Sequence, residues 1–77
     1  MENKLYKSEN QKSRQEVAEF LRDLAGKVEQ GSLVLPGQKG EVNIEFPESM
    51  VLEYDVEEKT KDSGSKMSLE VELEWYR

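Results

Sequence analysis

The stretch Met67–Trp75, MSLEVELEW, alternates apolar residues with serine or glutamate and never breaks the alternation. Side chains of a β-strand point alternately to opposite faces of a sheet, so this pattern predicts a strand with one apolar and one acidic face. An apolar strand face is unfavourable in water, and it needs a cover of other apolar side chains. We therefore expect the rest of the chain to build and cover this face.

Length and composition limit the functions open to the chain. Seventy-seven residues predict one small domain over residues 1–77. The sequence has neither cysteine nor histidine, which excludes Cys- or His-based zinc sites, thiolate nucleophiles and imidazole acid–base catalysis. It has no phosphate-binding glycine motif and no calcium-loop motif. We therefore expect no enzyme activity, no catalytic residues, no cofactor and no specific metal site.

The charge is unevenly distributed. Residues 1–31 carry six basic and six acidic side chains, whereas residues 32–77 carry five basic and eleven acidic ones, so the whole net charge of −6 lies in the second part. This part would repel phosphate backbones and anionic lipids, so we expect no nucleic acid and no membrane as partner. No apolar run reaches the ~20 residues of a membrane span. The N-terminus also lacks the pattern of a signal peptide, and we expect a soluble, cytoplasmic protein.

One helix is predicted from about Ser13 to Glu29. Ser13 and Glu16 have the spacing of a capping box, in which each side chain accepts a hydrogen bond from the backbone of the other. Gly31 suits the left-handed position just beyond a helix end. Gly26 lies opposite the apolar stripe, and it indicates either a tolerated weak point or an earlier helix end. The stripe itself recurs at helical spacing: Val17, Phe20, Leu21, Leu24, Ala25 and Val28.

Segments with a period of two predict the strands. A first, weakly patterned strand is expected at residues 4–8, within a segment 1–12 that has a flexible start. Clearer alternation marks residues 32–35, 41–46, 50–56 and 67–75. Short turn signals separate the last four segments, which favours antiparallel neighbours.

These elements predict an α+β fold with the order β-α-β-β-β-β. The amphipathic helix packs on one face of a mainly antiparallel sheet of four or five strands, and the other face meets water. Two positions are open to the first strand. It either pairs with the last strand at the far edge or lies beside the second strand.

The open face of the predicted sheet is acidic. With residue numbers across the last two strands adding to 127, Leu52 lies opposite Trp75 and Glu53 lies opposite Glu74. A sum of 125 changes the partners and still sets acids against acids, which is unfavourable in either register. The carboxylates of this candidate partner-binding face are Glu53, Asp55, Glu57, Glu70, Glu72 and Glu74.

Three interpretations of this acidic face remain open. It is a solvated face that prevents stacking and aggregation, or a binding surface for a basic protein, peptide or polyamine. Alternatively, the first strand, or the same strand of a partner, supplies Lys4 or Lys7 to neutralise it. Trp75, Ser13 and Glu16 are expected to be structural: Trp75 continues the apolar strand face, with stacking on a ligand as the alternative.

The segment Leu69–Trp75 resembles the amphi-Trp domain family, whose name refers to an amphipathic strand ending in tryptophan. The resemblance extends to the helix at residues 13–25, to Gly31, and to Phe46–Pro47 before Leu52. It implies a fold and no activity, because the family is largely uncharacterised.

The sequence therefore favours a small non-enzymatic binding or interaction module. Its acidic face is expected to take a basic protein or peptide, and the chain is expected to be a monomer or at most a weak dimer. The alternative is a structural, self-associating domain that dimerises through a sheet edge, with the acidic face serving only solubility.

Overall fold

The computed structural model describes residues 4–37 and 40–77. The chain divides into two compact units, Met1–Phe46 and Pro47–Arg77. The first contains α1 (Arg14–Gln30), β1 (Ser32–Gly37) and β2 (Gly40–Glu45), and the second contains β3 (Val51–Lys61) and β4 (Gly64–Glu74).

The helix begins and ends at the predicted signals. The Glu16 amide donates to the Ser13 hydroxyl at 3.1 Å, and the Ser13 amide donates to the Glu16 carboxylate at 3.1 Å. Gly31 adopts the left-handed conformation at φ 100°, and its amide donates to the Lys27 carbonyl at 2.9 Å. The helix runs through Gly26, so an early end at this residue is excluded.

The first hairpin joins directly to the end of the helix. β1 pairs antiparallel with β2, with Leu33 opposite Ile44 and Leu35 opposite Val42, and these four side chains are half-buried. The Phe46 amide donates to the Gly31 carbonyl at 2.8 Å, which extends the pairing by one step. The helix contacts β1. Pro47 has no amide hydrogen, so it cannot continue the pairing beyond Phe46.

The second hairpin is longer than its alternating pattern indicates. Its strands turn at Asp62–Ser63, and this turn places Lys61 opposite Gly64, which adopts a φ of 133°. A turn of this length fixes the pairing of every later residue, because the register of a hairpin follows from its turn. Opposite residue numbers therefore add to 125, which confirms the alternative register, and the preferred sum of 127 is wrong.

The α+β class and the antiparallel pairing are confirmed, but the sheets differ from the prediction. The four strands form two sheets of two strands rather than one sheet. The strand expected at residues 4–8 is not formed, and residues 1–3 lie outside the described part of the chain. The only apolar residues of this segment, Leu5 and Tyr6, are adjacent, so they would point to opposite faces of a strand.

None of the side chains in residues 4–37 and 40–77 is fully buried. The half-buried apolar residues of the first unit lie on one face of the β1–β2 hairpin and on α1, at Ala18, Leu24 and Val28. Phe20 and Leu21, in the same helical stripe, are exposed. Of the predicted stripe, Leu24 and Val28 are half-buried, whereas Val17 and Ala25 are exposed as well.

Candidate functional site

The β3–β4 hairpin brings all six predicted carboxylates to one face. Along β3 the acidic side chains occupy alternate positions, and along β4 they do the same, so the antiparallel register sets them side by side. All are exposed. This acidic face consists of Glu53, Asp55, Glu57, Glu70, Glu72 and Glu74.

Two cross-strand pairs on this face set acid directly against acid. Glu53 lies opposite Glu72, and Asp55 lies opposite Glu70. The sequence-based register paired Glu53 with Glu74, and the two-residue turn is the reason for the difference. Glu57 lies opposite Ser68, so this position has no directly opposed like charge. Like charges directly opposite each other destabilise a sheet.

Three carboxylates converge near the open end of the hairpin. One oxygen from each of Glu53, Glu72 and Glu74 lies within 4.8 Å of the other two. The charge of Glu72, followed by that of Glu74, raises the pKa of Glu53 above its ordinary value, with smaller contributions from desolvation, a hydrogen bond with Glu74 and the charge of Asp55. This group is therefore the point of strongest negative repulsion on the acidic face.

The same three carboxylates are a poor calcium site. They lie on an exposed surface. Calcium takes roughly six to eight oxygen ligands, which flexible acidic loops supply more readily than an open sheet face.

The opposite face of the hairpin is apolar. Leu52 lies opposite Leu73, Tyr54 opposite Val71, and Val56 opposite Leu69. Leu73 is half-buried, whereas Tyr54 is 69% exposed and Leu69 is 67% exposed. Sequence analysis expected these positions to be covered by other apolar side chains, and the structure leaves most of them open.

The residues expected to be structural occupy different environments. Ser13 and Glu16 form the predicted capping box, which is confirmed by both hydrogen bonds. Trp75 lies one residue beyond β4 and is half-buried. Its predicted place opposite Leu52 is wrong, because the observed register gives that place to Leu73.

Sequence analysis missed three lysines on the same side of the hairpin as the acidic face. Lys59 lies opposite Lys66, and Lys61 is the last residue before the turn. The missed signal is parity: Lys59 and Lys61 continue the odd-numbered series of acids in β3, and Lys66 belongs to the even-numbered series in β4. All three lysines lie between the alternating segments 50–56 and 67–75, so sequence analysis did not place them on a face.

Comparison with protein-family models decides the family. The Amphi-Trp domain model matches residues 1–77, which is the whole chain. The chain belongs to the Amphi-Trp domain family. This is a family of unknown function, so membership confirms the resemblance but assigns no activity to any residue of the Amphi-Trp chain.

Other comparisons found no relatives. No curated protein and no solved structure matches this Amphi-Trp chain. Within the described residues, no helix has the length and apolar character needed to cross a membrane.

Proposed function

We propose that the chain is a non-enzymatic binding module whose acidic face takes a basic segment of another protein. The observation that carries the proposal is the convergence of Glu53, Glu72 and Glu74 within a row of exposed carboxylates. A cation placed there relieves repulsion that already raises the pKa of Glu53. Binding of a cation would therefore also remove part of the electrostatic repulsion among these carboxylates.

The spacing of the row favours an extended partner. Acidic residues two positions apart on one strand are about 7 Å apart, because a strand rises about 3.4 Å per residue. An extended peptide with lysine at every second position presents cations at the same interval. Nucleic acid is disfavoured, because its phosphates carry the same sign of charge as this face.

The absence of enzyme activity is part of the proposal. General acid–base catalysis near neutral pH uses a group whose pKa is brought close to the working pH, commonly by burial. The six carboxylates lie in the open, and the sequence supplies no histidine or cysteine to act beside them. A surface for charge recognition needs exposed carboxylates and no such group.

The test is direct binding of a peptide of alternating lysine and threonine, measured by isothermal titration calorimetry at about 20 mM salt, where screening is weak. We expect Glu70→Lys, Glu72→Lys and Glu74→Lys together to weaken binding by about tenfold or more. The control variant Glu19→Lys, Glu29→Lys and Glu48→Lys changes the net charge by the same amount away from the face. Equal loss in both variants would show that only net charge matters and would contradict the proposal.

The exposed apolar face of the β3–β4 hairpin favours a second candidate function, namely the self-associating domain. An isolated two-stranded hairpin is marginally stable in water, so this face gains from any apolar cover. Light scattering separates the candidates. The binding module is expected to be a monomer at micromolar concentration and physiological salt, whereas a dimer that persists on dilution would support the second candidate.

A further inference from the structure

The acidic side of the β3–β4 hairpin is positively charged at its turn. Lys59 and Lys66 are directly opposed, and Lys61 follows on the same side one step closer to the turn. All three are exposed. We name these three residues the lysine end.

The lysine end can neutralise only the nearest member of the acidic face, Glu57, which is two residues from Lys59 on β3 and therefore about 7 Å away. Lys59 and Glu53 are six residues apart on β3, which is about 20 Å along a strand. Screening at about 0.1 M salt acts over about 10 Å. Within the described part of the chain, the ion pairs that the structure records lie in the N-terminal segment and at the helix start, and none involves the lysine end.

A face that is negative along most of its length and positive at one end is complementary to a reversed copy of itself. From this charge separation we infer that two copies of the chain associate through this face, in opposite orientations about a two-fold axis. Isologous contacts of this kind use one surface on both partners, so each favourable pairing occurs twice.

The register of the hairpin sets which charges meet. With the axis near Glu57, the Lys59–Lys66 pair of one copy lies over Asp55 and Glu70 of the other. These two cross-strand pairs lie at equal distances from the axis, because each is two residues along its strands from Glu57 and Ser68.

Two residues further along the strands from the axis, Lys61 of one copy lies over the Glu53–Glu72 pair of the other. Like charges meet at the axis, where Glu57 faces its own copy. The contact consists of exposed ion pairs, which are individually weak and sensitive to salt. Association through this face is therefore expected at high protein concentration and low salt. It does not depend on the proposed binding of a basic partner, although it would compete for the same face.

Sedimentation equilibrium of the purified full chain tests this inference, at about 0.5 mM protein and at about 20 mM and about 500 mM salt. We expect the apparent mass to rise towards twice the monomer mass at low salt and to return to the monomer value at high salt. Lys59→Glu with Lys66→Glu is expected to abolish the rise. The neutral pair Lys59→Gln with Lys66→Gln is expected to do the same, and it keeps the test decisive if the acidic variant fails to fold.

Two further variants separate complementarity from net charge. Asp55→Lys with Glu70→Lys reduces the net negative charge but removes the partners of the lysine end, so we expect it to be monomeric. Combining these two changes with Lys59→Glu and Lys66→Glu restores the original net charge with reversed polarity, and association is expected to return. Stronger association of Asp55→Lys with Glu70→Lys, or association that survives high salt, would overturn the inference.

Discussion

Glu53 is the residue at which the charges of the acidic face interact most strongly. Its pKa is raised from 4.5 because Glu72 and Glu74 disfavour its ionised form. A carboxyl group with a raised pKa in the folded state stabilises the fold while it is protonated, below about pH 4.5, and this contribution is lost as the pH rises through the raised value. At neutral pH the ionised Glu53 therefore opposes folding of the hairpin.

Replacing Glu53 by glutamine is expected to raise the melting temperature at about pH 7 and to have little effect at about pH 4, where the carboxyl is largely protonated. Thermal unfolding followed by circular dichroism across this pH range measures the difference. Glu58→Gln is the matched control, because Glu58 lies on the same strand opposite Met67, on the other face. A pH-dependent stabilisation that is equally large for Glu58→Gln would contradict the account.

Gly26 is a weak point in α1 that a side chain can repair. It is inside the helix, and a β-carbon added there meets no atom within 4 Å. Gly26→Ala is expected to raise the free energy of unfolding by about 0.5–1 kcal/mol, because alanine restricts the unfolded chain and favours the helix. Urea unfolding measures this change.

Gly31→Ala is the contrasting variant. A β-carbon added at Gly31 also meets no atom within 4 Å, but Gly31 has a φ of 100°. The left-handed conformation disfavours alanine, and we expect a loss of about 1 kcal/mol. If both substitutions changed stability in the same direction, backbone conformation would not be the cause.

At the scale of the element, the helix start depends on one reciprocal pair. The Ser13 hydroxyl and the Glu16 carboxylate each accept a hydrogen bond from a backbone amide. These amides would otherwise lack a partner within the helix. Ser13→Ala is expected to lower the free energy of unfolding by about 1 kcal/mol, measured by urea unfolding. Ser13→Asp keeps an acceptor at the cap and should retain most of the stability. A loss as large as that of the alanine variant would indicate a cause other than capping.

The elements show which parts of the fold a sequence pattern can predict. The helix and its two ends were predictable, because capping residues, apolar spacing and Gly31 all indicate the same boundaries. The strand type of Met67–Trp75 was predictable from its alternation. The exact register was not, because it depends on the two-residue turn at Asp62–Ser63, within a segment that reads equally well as a longer loop.

The sequence predicted on which face of the hairpin the six carboxylates lie. It did not decide which of them lie directly opposite each other. The alternation of acids placed all six carboxylates on one side, and the structure confirms that placement. Which acids are opposed follows from the register. The sequence left two registers open, and the structure selects the one that sets Glu53 opposite Glu72. The lysine end was missed because residues 57–61 lack the apolar alternation that marked the strands elsewhere.

At the scale of the whole molecule, charge is the property most clearly available for recognition. The net charge of −6 arises entirely in residues 32–77, and the acidic face concentrates six carboxylates on one hairpin. A surface field of one sign speeds encounter with oppositely charged partners and weakens as salt rises. Membership of the Amphi-Trp family gives this surface no known role, so its chemistry must be tested directly.

The most direct test of the central claim is an NMR titration of the ¹⁵N-labelled chain with the alternating lysine and threonine peptide at low salt. The account predicts that backbone amide shifts change mainly at residues 53–57 and 70–74 and that about 0.5 M salt reverses the changes. Shifts confined to α1 and the β1–β2 hairpin, or shifts on the hairpin that persist at high salt, would contradict recognition through the acidic face.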